Sequence, residues 1–64
     1  MMKKKYLIYE AKEMRLIAKG FANGEFFTTH LQAETYIANR IEECLWPKYE
    51  DYYIQEILYW GAYP

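Results

Sequence analysis

The chain has 64 residues, enough for one domain, and a chain this short buries only about 60% of its unfolded surface, so its stability margin is thin. One cysteine and one histidine exclude an intrachain disulfide and a soft-ligand zinc cluster. A formal net charge of −1 argues against the basic field of a general nucleic-acid binder.

The first expected element is a strand over residues 4–10. Tyr6-Leu7-Ile8-Tyr9 are strong strand formers in a run too short for a stable helix. Ala11-Lys12-Glu13 break the pattern, and residues 14–22 read as a second strand that hairpins onto the first. Met14, Leu16 and Ala18 are expected on one of its faces, with Arg15, Ile17 and Lys19 on the other. Asn23-Gly24 has the form of a two-residue type I′ turn, which folds residues 25–28 back as a short third strand.

Thr29-His30-Leu31-Gln32 is a capping box, and it opens a helix over residues 30–45. Ala33, Ile37, Ile41, Cys44 and Leu45 make its apolar stripe. Pro47 ends it by biasing Trp46 out of the helical region. Residues 52–60 are dense in β-branched and aromatic residues and read as the last strand. The alternative is a short helix capped by Asp51, with Gly61 just past its end. The fold class is therefore α+β, a small antiparallel sheet of three to four strands with one helix packed on one face, in ββ(β)αβ order. One helix cannot cover both sides of strands that are apolar on both sides, so a sheet face is left open.

No catalytic constellation is legible. Serine is absent, and His30 and Cys44 fall about 21 Å apart along the same expected helix, too far to pair. Cys44, on the apolar stripe, is expected as a buried packing thiol, and His30 as a surface residue in the first turn. Glu42-Glu43 point in different directions on the helix, and no glycine-rich phosphate loop exists. Neither enzymatic activity, nor a cofactor, metal or small-molecule ligand is expected. Lys3-Lys4-Lys5 resemble the start of a secretory signal, but Glu10 and Lys12 end the apolar run well short of the roughly 7–15 residues needed. A cytoplasmic protein is the expectation.

Charge is divided along the chain. Residues 1–32 carry net +3, and residues 33–64 carry net −4. Residues 46–64 hold seven aromatics interleaved with acids. More aromatic surface is present there than one small core can enclose, and Tyr and Trp dominate protein–protein hot spots. The candidate partner-binding residues are Trp46, Tyr49, Glu50, Asp51, Tyr53, Glu56 and Tyr59, an acidic and aromatic face suited to a basic protein. Two other classes stay open. Lys3, Lys4, Lys5, Lys12, Arg15 and Lys19 cluster on the first hairpin and could meet nucleic acid. A homodimer could form through an exposed edge strand or the aromatic face.

In size, charge and element order the chain resembles small phage-encoded host-takeover and anti-defence proteins, in particular phage inhibitors of bacterial RNA polymerase. The likeness lies in layout, with no residue motif, so no functional residue is carried over. It implies a cofactor-free inhibitor or regulator acting on a host protein in the bacterial cytoplasm. The A/T-rich codon character of a chain rich in Lys, Tyr and Ile, without serine or valine, agrees with such an origin.

Overall fold

The computed structural model describes residues 2–61. Strand β1 (Met2–Glu10) is followed by β2 (Arg15–Ala18), helix α1 (His30–Glu42) and β3 (Tyr52–Trp60). The three strands form one antiparallel sheet in the order β2-β1-β3. The fold is α+β, as the sequence pattern implies, with β1 at the centre. β3 returns from the helix to pair with β1 over nine residues in unbroken register, from Met2 opposite Trp60 to Glu10 opposite Tyr52. The β reading of residues 52–60 therefore prevails over the helical one. A nine-residue ladder on β1 uses backbone groups and side chains that a lone short helix would leave bare.

Antiparallel partners share a face, so the register sorts the side chains. Tyr6, Ile8 and Glu10 of β1 lie under the helix with Tyr52, Ile54 and Glu56 of β3. Tyr6, Ile8, Phe27 and Ala33 are the buried apolar residues, ringed by half-buried Ile17, Ala18, Phe21, Tyr36, Ile37, Trp46, Tyr52 and Ile54. Aromatic rings run unbroken through this layer. Centroids are 4.8 Å apart for Phe21–Phe27, 5.1 Å for Phe27–Tyr36, 5.6 Å for Tyr36–Trp46 and 5.2 Å for Trp46–Tyr52. Fully burying Ile8 and Phe27 contributes about 1.5–3 kcal/mol each.

Several elements differ from the sequence pattern. β1 begins at Met2 rather than residue 4, because Met2, Lys3 and Lys4 find ladder partners in Trp60, Tyr59 and Leu58. β2 is confined to residues 15–18 instead of 14–22. A bulge between Ile8 and Tyr9 leaves Ile17 unopposed, so Ala18 faces the helix while Leu16 lies on the other side with Tyr9. The strict alternation expected of β2 cannot survive that extra residue.

Residues 25–28 form no strand of their own. They make two isolated bridges, Gly20 to Phe26 and Tyr6 to Phe27, and the Phe27 carbonyl accepts the Tyr6 N–H at 3.0 Å. The Asn23-Gly24 turn is not type I′, since Asn23 keeps a negative φ and only Gly24 is left-handed, at 93°. The Gly24 N–H donates to the Phe21 carbonyl and the Phe21 N–H to the Glu25 carbonyl, which makes a three-residue loop closed by a left-handed glycine. Asn23 Oδ1 accepts the Glu25 N–H at 3.0 Å and holds it shut. Gly20 permits the close return, because a Cβ there would lie 2.1 Å from the Glu25 carbonyl oxygen.

The helix starts where the capping box places it. Thr29 Oγ1 accepts the Gln32 N–H at 3.1 Å. The Gln32 side chain, however, reaches the Thr28 N–H and hydroxyl rather than the Thr29 N–H. The helix ends at Glu42 instead of residue 45. The Cys44 N–H donates to the Ile41 carbonyl and the Leu45 N–H to the Arg40 carbonyl, a Schellman closure with Cys44 left-handed at φ 61°. That closure turns Cys44 and Leu45 out of the apolar stripe, and both are exposed. Cys44 is thus not the buried packing thiol of the sequence reading. Tyr36 and a half-buried Arg40 replace it on the inner face, with the Arg40 guanidinium 5.0 Å from the Tyr36 ring.

The molecule is elongated. Its radius of gyration is 12.6 Å and its extents are 41 × 23 × 16 Å. A compact domain of this length would have a radius near 11 Å.

Candidate functional site

Alternation sends Lys5, Leu7 and Tyr9 of β1 to the side away from the helix. Tyr53, Gln55, Ile57 and Tyr59 of β3 join them, and Leu16 of β2 extends the patch across the sheet. No described element covers this side. The Tyr9 and Tyr53 rings stack at 5.3 Å with 10° between their planes. The Tyr53 hydroxyl reaches Met14 Sδ at 3.8 Å, which ties the hairpin turn to the same patch. At the other end Phe26 meets the edge of Tyr59, and Lys5 Nζ lies 4.5 Å from the Phe26 centroid and 5.2 Å from that of Tyr59. Cation–π contact holds the lysine against the rings.

The charge of this face differs from the sequence reading. Its ladder positions hold Lys3 and Lys5 and no acid. Glu56 points to the helix side, where it accepts the Tyr6 hydroxyl at 3.0 Å and sits 3.8 Å from Lys4 Nζ. This hydrogen bond, then burial, then the Glu56 charge push the Tyr6 hydroxyl above its ordinary pKa. Tyr52, whose hydroxyl donates to the Pro47 carbonyl at 2.8 Å, is also raised, by burial first and then by Glu50 and Glu10. Glu10 itself is 3% exposed. One of its oxygens accepts the Glu13 N–H at 3.1 Å, and the other lies 3.8 Å from the Arg15 guanidinium.

The seven candidate residues therefore do not form one surface. Tyr53 and Tyr59 share the open face. Asp51 and Glu50 flank its far end, where the Asp51 carbonyl accepts the Ala11 N–H at 2.9 Å. Tyr49 stands out from the connection at 94% exposed. Trp46 packs into the ring run under the helix, and Glu56 is on the opposite side of the sheet. Lys5, Leu7, Tyr9, Leu16, Phe26 and Ile57 also belong to the open face but are not among the seven candidates, although alternation along the last strand puts Ile57 with Tyr53 and Tyr59. The two-sided apolarity of the first strand pointed to Leu7 and Tyr9. Leu16 required the bulge and Phe26 the tertiary return.

His30 is exposed, and its Nδ1 contacts Glu34 Oε1 at 2.7 Å. Among the described residues no three His, Cys, Asp or Glu side chains gather as metal ligands. No described helix is long and apolar enough to cross a membrane.

Fold and face together define a small α+β domain with a one-sided, three-stranded antiparallel sheet. In comparison with known proteins, no family model matches the chain, and neither a curated protein nor a solved structure shows significant similarity to it.

Proposed function

We propose that the chain is a non-enzymatic protein-binding module, a small inhibitor or regulator of phage or mobile-element type that docks on a host protein in the bacterial cytoplasm. The observation that carries this reading is the uncovered sheet face. Stacked Tyr9 and Tyr53, aliphatic Leu7, Leu16 and Ile57, and the Phe26–Tyr59 pair make an apolar surface that no described element covers. Aromatic side chains give large contact area at small entropy cost, which is why they anchor interfaces. The ends differ in charge. Glu50 and Asp51 suit a basic contact on the partner, while Lys3 and Lys5 suit an acidic one.

Tagged wild-type chain is compared with Leu16→Asp and Tyr59→Asp in affinity capture from bacterial lysate, with circular dichroism as the folding control. A protein held by the wild type and released by both variants supports the reading. Capture that is equal in all three, or absent, overturns it.

Lys5 between two rings favours a second reading, since bases stack on aromatics beside a backbone-binding lysine. Single-strand binding that weakens steeply with added salt supports that reading. Binding that ignores salt counts against it.

A further inference from the structure

The outer edge of β3 is bare among the described residues. Its nine residues pair with β1 on one side only, in a register with no bulge, and contain no proline and no lysine. Those are the devices by which edge strands avoid pairing with another chain. The single charge on β3, Glu56, is engaged by Tyr6 and Lys4.

Two features flank this edge on the helix side of the sheet. A groove of about 500 Å³ lies between α1 and β3, with Ile37, Ala38 and Ile41 facing Tyr52 and Ile54 and no β1 residue in its wall. At the opposite end of the same strand, outside the helix-covered core, Leu58 and Trp60 are 54% and 66% exposed. One end of β3 offers a mostly apolar cleft whose wall also holds His30 and Glu34, and the other offers apolar side chains that no described residue covers.

We propose that β3 pairs antiparallel with β3 of a second copy, joining two three-stranded sheets into one six-stranded sheet about a two-fold axis at Gln55. A two-fold normal to the sheet keeps each face on its own side, so residues equidistant from the axis oppose one another. Tyr53 then meets Ile57, and Tyr52 meets Leu58, which sets Leu58 of each copy at the mouth of the other's groove. An axis at Glu56 would place two carboxylates directly opposite, an unfavourable pair. At Gln55 it places two neutral amides, each both donor and acceptor.

Charge agrees with this arrangement. Lys3, Lys4 and Lys5 lie on β1 opposite Tyr59, Leu58 and Ile57, and Glu50 and Asp51 precede Tyr52. The two-fold brings the acidic end of one copy to within two strand spacings, roughly 10 Å, of the basic end of the other. A small core is a condition under which small domains gain stability from oligomerisation. Edge pairing leaves the open face free, so it is independent of the docking reading above.

Sedimentation velocity of the purified chain across the micromolar range tests the pairing. The wild type is expected to sediment as a dimer. Leu58→Lys, an exposed position, is expected to give a monomer with unchanged far-UV circular dichroism. Leu16→Lys, on the open face of the far strand, is expected to remain dimeric. Gln55→Cys in a Cys44→Ala background is expected to yield a covalent dimer on mild oxidation. A wild type that stays monomeric throughout, or a Leu58→Lys chain that stays dimeric, overturns the proposal. So does a dimer that dissociates with Leu16→Lys but not with Leu58→Lys, since face-to-face packing would then hold the copies. A monomer that still loses its lysate partner with Tyr59→Asp overturns edge pairing alone.

Discussion

Among the described residues, two other than glycine, Met14 and Cys44, hold left-handed backbone at φ 57° and 61°. At Met14 the conformation closes the four-residue turn Ala11–Met14 between β1 and β2. At Cys44 it closes the Schellman motif, a position glycine commonly fills. A residue with a Cβ pays about 1–2 kcal/mol there. Glycine's greater freedom in the unfolded chain returns part of that, about 0.4–1 kcal/mol. Cys44→Gly is therefore expected to stabilise the domain by about 0.5–1 kcal/mol, because the thiol is exposed and little burial is lost with it. Urea denaturation checks it, and a lower midpoint would mean that the thiol contributes more than its backbone costs. The apolar spacing assigned Cys44 to the core because periodicity assumes that the helix continues, whereas the closure ends it two residues earlier.

At the scale of elements, local chemistry determined the helix start better than its end. Thr29 was identifiable as the cap from the Thr-x-x-Gln pattern, and its Oγ1 accepts the Gln32 N–H. Thr29→Ala is expected to cost about 1 kcal/mol, read as a lower thermal midpoint, with Thr29→Ser close to the wild type. The strands show the converse. β3 was legible over its full length from β-forming residues, but β2 was not, because a bulge depends on how two strands fit and not on either alone. Asn-Gly signalled a turn correctly. Its type followed from the return of Phe26 and Phe27 onto Gly20 and Tyr6, a contact between distant parts of the chain.

For the whole molecule, pH reports on two buried-side tyrosines. Tyr6 and Tyr52 both have raised pKa values in the fold. The folded state holds their protons more tightly than the unfolded state, so their contribution is full below pH of about 10 and is lost as pH rises through the folded values. Deprotonation also removes the hydrogen bonds to Glu56 and Pro47. The urea midpoint is expected to fall above pH of about 10, and Tyr6→Phe with Tyr52→Phe to flatten that fall. An equally steep fall in the double variant would assign the alkaline loss to other groups.

The open face belongs to this largest scale too. The residue pattern alone determined that one helix could not cover strands apolar on both sides, since reading the alternation of apolar side chains along a strand needs no coordinates. It determined the α+β class and the element order for the same reason: propensity, capping and turn chemistry are local. Which residues share the open face was decided only by tertiary structure. The β1–β3 register turns Glu56 away and Lys5 outward, and a shift of one residue would reverse both. Register arises from pairing across more than forty intervening residues, and no local pattern contains it.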